Sequence, residues 1–158
     1  MTALIQGPVT IDRILAVVSG QPIVLSDVNA ALEFHLVEPP PGTSDVVGAV
    51  LEQLIRRRLL LAEVERFQPP EPDPVEIGAV LDATTARIGA AAFERALAVT
   101  GLTRDQLRRH IRDDLRITTY LNQRFGANRD PAERGADIEK WIGDLRRRTQ
   151  ITVLPRTL

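Results

Sequence analysis

Two rhythms of apolar and polar positions run along the chain. Ile14-Leu15-Ala16-Val17-Val18 is an unbroken apolar run rich in β-branched residues, followed by Ser19-Gly20 and then Gln21-Pro22-Ile23-Val24-Leu25. That pattern predicts a β-hairpin closed by a two-residue turn. Pro22 has no N–H to give to a ladder and belongs on an edge strand, whereas a first strand that is apolar throughout needs a neighbour on each side. The good candidate for the third strand lies at the far end, Gln150-Ile151-Thr152-Val153-Leu154, stopped by Pro155. The two ends of the chain are therefore expected to meet in one three-stranded sheet.

Between them the rhythm is helical. Ser26 is placed to cap a first helix running to about Leu36, with Asp27 favoured by the helix dipole, and Pro39-Pro40-Pro41-Gly42 ends it. A long helix from Ser44 to about Arg66 carries Val47, Leu51, Ile55 and Leu59 as one stripe, which Val50, Leu54, Leu61 and Val64 widen. So broad an apolar face predicts a central helix. Pro69 to Pro72 reads as a stiff connector, and Asp73-Pro74-Val75-Glu76 as a helix start with Asp as cap and Pro in the first turn. Asp130-Pro131-Ala132-Glu133 repeats that device.

Gly89 and Gly101 punctuate two further helices. Thr103-Arg104-Asp105-Gln106 is a capping box, with Leu102 and Leu107 at the positions of a hydrophobic staple. A stripe of Leu107, Ile111, Leu115, Leu121 and Phe125 follows, with Asp105/Arg109 and Arg109/Asp113 spaced to pair on the outer face. Ile138, Trp141, Ile142 and Leu145 mark a final helix, and Gly126 to Ala136 reads as a turn or a linker with a frayed helix start. The whole pattern predicts a mainly α protein: a bundle of about six helices with a small antiparallel sheet formed by the N-terminal hairpin and the C-terminal strand.

Composition narrows the function classes. Hydrophobic residues at 44% and charged residues at 26% are ordinary for a globular domain and indicate neither disorder nor a membrane protein. A formal net charge of -1 argues against a general nucleic-acid binder, and no membrane insertion is expected from apolar runs this short. The absence of cysteine excludes a disulfide framework and thiol chemistry. Met1 to Val9 lacks the basic and apolar regions of a signal peptide, so the expectation is a cytoplasmic protein or one whose leader has been removed.

Reactive chemistry is sparse. His35 and His110 stand in no metal-ligand spacing, Asp113 and Asp114 diverge by about 100° on a helix, and the glycines match no phosphate-binding loop. No catalytic residue, cofactor or metal site is expected. Arg56-Arg57-Arg58 and Arg146-Arg147-Arg148 read as solvated helix faces because acids lie close by. Trp141, Phe34, Phe67, Phe93 and Phe125 read by default as core. Phe34, Leu36 and Val37, just before the proline run, also put more apolar surface at a helix end than a cap requires, and stand as the candidate client-binding patch.

Asp12-Arg13-Ile14-Leu15-Ala16-Val17-Val18-Ser19-Gly20-Gln21-Pro22-Ile23-Val24-Leu25-Ser26-Asp27-Val28 resembles the opening of SurA-type periplasmic chaperones, with Ser19 in place of the usual Asn. Leu51 to Val64 is similar to that family's second helix, and Gly101-Leu102-Thr103, Leu107 to Ile117 and Trp141 to Arg146 also fit in order. The resemblance implies a single chaperone domain over 1–158: an N-terminal region at 9–125, a linker at 126–136 where such proteins commonly carry a parvulin domain, and a returning helix and strand at 137–158. No parvulin active-site residue is supplied. The implied function is a periplasmic chaperone, its signal peptide absent from this sequence, that holds unfolded or outer-membrane clients without prolyl isomerase activity. Two rival readings stay open at this point: a homodimeric assembly module that exchanges its terminal strand or final helix, and an enzyme or accessory part of a prolyl isomerase system.

Overall fold

The computed structural model of the chain describes residues 12–156, so the reading of Met1 to Val9 lies outside the described residues. Ser19 and Gly20 both adopt positive φ, 49° and 79°, the pairing that turns two strands back on each other with their natural twist. The turn joins β1 (Ile14–Val18) to β2 (Gln21–Val24), with Val18 opposite Gln21 and Val17 opposite Pro22. β3 (Ile151–Val153) lies antiparallel along the other side of β1, with Val18 opposite Ile151. The order β2-β1-β3 leaves Pro22 on an edge, where its missing N–H costs no ladder bond. Hydrogen bonds from Ser19 N to Gln150 O and from Leu154 N to Leu15 O, both 2.9 Å, extend the junction of the two chain ends.

Among the described residues six helices complete the mainly α architecture: α1 (Leu25–Glu33), α2 (Val46–Phe67), α3 (Pro74–Ile88), α4 (Ala90–Thr100), α5 (Arg104–Phe125) and α6 (Pro131–Arg148). Several boundaries differ from expectation for local reasons. Ser26 does not cap α1: the cap is Val24, two residues earlier, and the Ser26 N–H and hydroxyl both donate to the Asp12 carboxylate. Asp27 instead reaches back to accept the Val24 N–H at 3.0 Å. The helix ends at Glu33 rather than Leu36, because His35 takes a left-handed conformation at φ 50° and reverses the chain. The N–H of Leu36 then bonds to Ala31 O and that of His35 to Leu32 O, a Schellman closure with histidine where glycine is usual.

α6 begins at Pro131, as the Asp130-Pro131-Ala132-Glu133 device predicts and inside the 126–136 linker, since the Asp130 carboxylate accepts from both Ala132 N and Glu133 N. α2 is capped by Asp45 rather than started by Ser44. At α5, Thr103 accepts from Gln106 N and the Gln106 side chain accepts from Thr103 N, the reciprocal box the sequence predicts. Thr103→Ala is expected to cost about 1 kcal/mol. The check is a lower urea midpoint with an unchanged slope; no shift would mean that the box contributes nothing to holding α5 in place.

Two apolar cores form. One gathers α2, β1, α5 and α6 around Leu15, Ile55, Leu59, Tyr120 and Trp141. The other joins Phe34, Leu81, Phe93, Ala96, Leu107 and Ile111. α1 and α5 serve both: Val28 and Ala31 face the first core while Phe34 enters the second, and Ile117 and Tyr120 face the first while Leu107 and Ile111 face the second. Phe67 is the exception among the aromatics predicted as core. It is 55% exposed and stacks on Tyr120 with ring centroids 5.4 Å apart.

Candidate functional site

Where the two cores part, between α1, α2 and α5, the molecule has a groove with a cavity volume of about 190 Å³. Its floor is apolar: Ile23 from β2, Ala31 from α1, Leu54 from α2, Leu107 from α5, and Leu36 and Leu102 from the loops. Exposed Ser26 and Gln106 stand on its rim, so it opens to solvent. The polar lining is otherwise Asp27, Arg57, Arg58, His110 and Thr100.

The rim charges are organised. Arg57 Nε lies 2.7 Å from Asp114 Oδ1 and its Nη2 donates to His110 O at 3.2 Å, while His110 Nε2 lies 3.2 Å from Asp114 Oδ2. Burial pushes the Asp114 carboxyl up, but the contacts with His110 and Arg57 outweigh it and hold the group below its ordinary value of 3.8. Asp114 therefore stays ionised and fixes two rim side chains from α2 and α5. Asp113 turns to other partners, Arg112 at 3.2 Å and Arg116 at 3.8 Å, so the adjacent carboxylates do not act as a pair.

The three residues proposed as a client patch do not stay together. Phe34 has no exposed surface: its ring packs edge-on against Phe93, centroids 5.5 Å apart, because α3 and α4 fold over the end of α1. The expectation of an exposed Phe34 is corrected. Leu36 lies on the groove lining, carried there by the reversal at His35. Val37 packs partly on the first core and lines a separate, shallower depression with Leu60 and Ile117.

Other expected features fall on the scaffold. Arg56 pairs with Glu139 and Arg146 with Glu52, tying α2 to α6, while Arg147 pairs with Asp144, as a solvated face would do. On α5 the pairs differ from the predicted spacing. Arg108 meets Asp105 and Arg112 meets Asp113, which leaves Arg109 without an ion pair among the described residues, and Glu71 of the connector takes Arg112 at 2.6 Å through Nε and Nη2. His35 is exposed, and its carbonyl accepts from Arg87 Nη2 at 3.3 Å. Among the described residues no group of His, Asp or Glu is placed to hold a metal ion, and no helix is long and apolar enough to cross a membrane.

Sequence reasoning missed the groove's own residues, Leu54, Arg58 and Leu107 among them. Their signal was present as Arg58 interrupting the apolar stripe of α2, four positions after Leu54. A scan against protein-family models finds no match. A search of curated proteins finds none either.

Proposed function

We propose that this chain is a holding chaperone of the SurA type, which takes up unfolded polypeptide segments in the groove between α1, α2 and α5 and performs no prolyl isomerisation. The observation that carries the reading is the groove itself: an apolar floor built from six separate parts of the chain, open to solvent and framed by fixed charges. Apolar lining with a few polar groups suits extended, weakly specific segments. Holding them shortens the time for which unfolded clients expose apolar surface to one another. Ordering a flexible client consumes several kcal/mol of the gross interaction, so capture is modest in affinity and reversible without an energy source.

The motifs quoted from Asp12 to Val28 and from Leu51 to Val64 support the same family, and with it a periplasmic setting and outer-membrane-type clients. The test is light scattering from an unfolded outer-membrane protein diluted into buffer with the chain at micromolar ratios. Suppressed scattering is expected, together with a proline-isomerisation rate no faster than the blank. Undiminished aggregation in the presence of chain shown by circular dichroism to be folded would refute the proposal.

A further inference from the structure

A second depression, of about 260 Å³, lies beyond the groove and shares one residue with it, Arg58. Its lining continues along the same helices: Leu61, Ala62 and Glu65 of α2 follow Leu54 and Arg58, and Asp113 of α5 follows Gln106 and His110. Gln21 continues the wall that Ile23 begins. Positions three and four apart share a helix face, so the two depressions lie end to end on one face of α2. From Leu54 to Glu65 that face spans about 16 Å at 1.5 Å per residue, the length of about five residues of extended chain.

Most charged groups along this path have an ionic partner, and Asp27 and Arg58 have none among the described residues. Arg57 and His110 share Asp114, Glu65 pairs with Arg116 at 2.7 Å, and Asp113 pairs with Arg112 and Arg116. Asp27 accepts the Val24 N–H at a helix start. Arg58 is the cationic lining group with no carboxylate partner among the described residues. It is half-buried, and its contact is Nη2 donating to Pro22 O at 3.3 Å.

The neighbouring strand edge offers little competition. Pro22 has no N–H, its carbonyl is occupied by Arg58, and the Val24 N–H is occupied by Asp27. A chain lying here is held through side chains, not by adding a strand to β2. Leu54, Arg58 and Ala62 follow one another at about 6 Å along α2, close to the roughly 6.6 Å between alternate side chains of an extended peptide.

We infer that the two depressions meeting at Arg58 form one cleft for an extended peptide segment whose acidic side chain pairs with Arg58, while the apolar side chains two positions to either side seat against Leu54 and Ala62. This rests on the holding-chaperone reading and adds the class of segment held: apolar, any, acidic, any, apolar. A carboxylate meeting the Arg58 guanidinium gains a charge-assisted hydrogen bond that a neutral side chain of the same shape does not make.

The test uses the whole chain and fluorescein-labelled peptides of about seven residues bearing Leu, Asp and Leu at alternate positions. Anisotropy titration should show the matching Asn peptide binding about tenfold more weakly, the effect of losing one charged hydrogen bond. Arg58→Gln should bring the two peptides level, and Arg58→Glu should favour the Lys peptide over the Asp peptide. Asp and Asn peptides binding to the unaltered chain within a factor of two would overturn the inference, and that arm needs no variant to fold. If the chain still suppresses aggregation in that case, the acidic anchor alone fails; if it binds no peptide and suppresses nothing, the holding reading fails with it.

Discussion

Phe34→Ala is expected to destabilise the protein by about 3–5 kcal/mol, the cost of emptying a closed aromatic site. The ring has no exposed surface and meets Phe93 at 69°, an edge-to-face arrangement that contributes beyond burial alone. Against a typical net stability of about 5–15 kcal/mol, such a loss leaves the fold marginal. Urea unfolding followed by far-ultraviolet circular dichroism gives the midpoint shift. Trp141 lies in the other core and reports on it by fluorescence. Because α1 and α5 belong to both cores, the two signals should fall together. An unshifted midpoint accompanied by lost peptide capture would reverse the assignment and return Phe34 to the client surface.

The contrast between Phe34 and Leu36 shows why a functional surface is harder to read from sequence than a fold. The hairpin, the edge position of Pro22 and the returning strand at Ile151–Val153 were legible because each follows from a local rule: a run of β-branched residues, a missing N–H, a strand stopped by proline. The Thr103 box was legible for the same reason, since its donors and acceptors lie within three residues. Phe34 and Leu36 part through tertiary packing and one backbone reversal. Their separation depends on α3 and α4 covering the end of α1, and on a left-handed histidine that no glycine announces. Arg109 misled because both carboxylates within its reach go to neighbours on α5, Asp105 to Arg108 and Asp113 to Arg112 and Arg116.

The groove is less legible still. Its lining comes from segments between Ile23 and His110, and each contributes side chains that look, within their own helix, like ordinary core or ordinary surface. Leu51 is closed into the first core, whereas Leu54, three positions on, is only partly buried and lines the groove. Arg58 reads as one member of a basic triplet until its neighbours are seen to take the available carboxylates: Arg56 has Glu139 and Arg57 has Asp114. The charge left over is a property of the assembled helices.

The second large effect concerns the return of the chain. Deleting residues 127–158 removes α6 and β3 and is expected to abolish folding of what remains. Four large side chains of α6, Ile138, Trp141, Ile142 and Leu145, sit in the first core at 5–9% exposure. At about 1.5–3 kcal/mol each, their burial is comparable with the whole net stability of a small domain. Trp141 also packs against Tyr120 at 5.9 Å and Phe125 at 5.3 Å, so both rings of α5 would be bared. Loss of β3 frees the second edge of β1, whose Leu15, Ala16 and Val18 are buried, and an apolar unpaired edge is a template for aggregation. The expected outcome is a truncated chain that is insoluble or lacks a cooperative unfolding transition. Supplying 127–158 as a separate peptide should restore a folded complex, because its contacts are made through side chains and the β1 ladder and not through the turn at Gly126. A truncated chain that unfolded cooperatively on its own, at an unchanged urea midpoint, would show that β3 and the returning helix are accessories and do not close the first core.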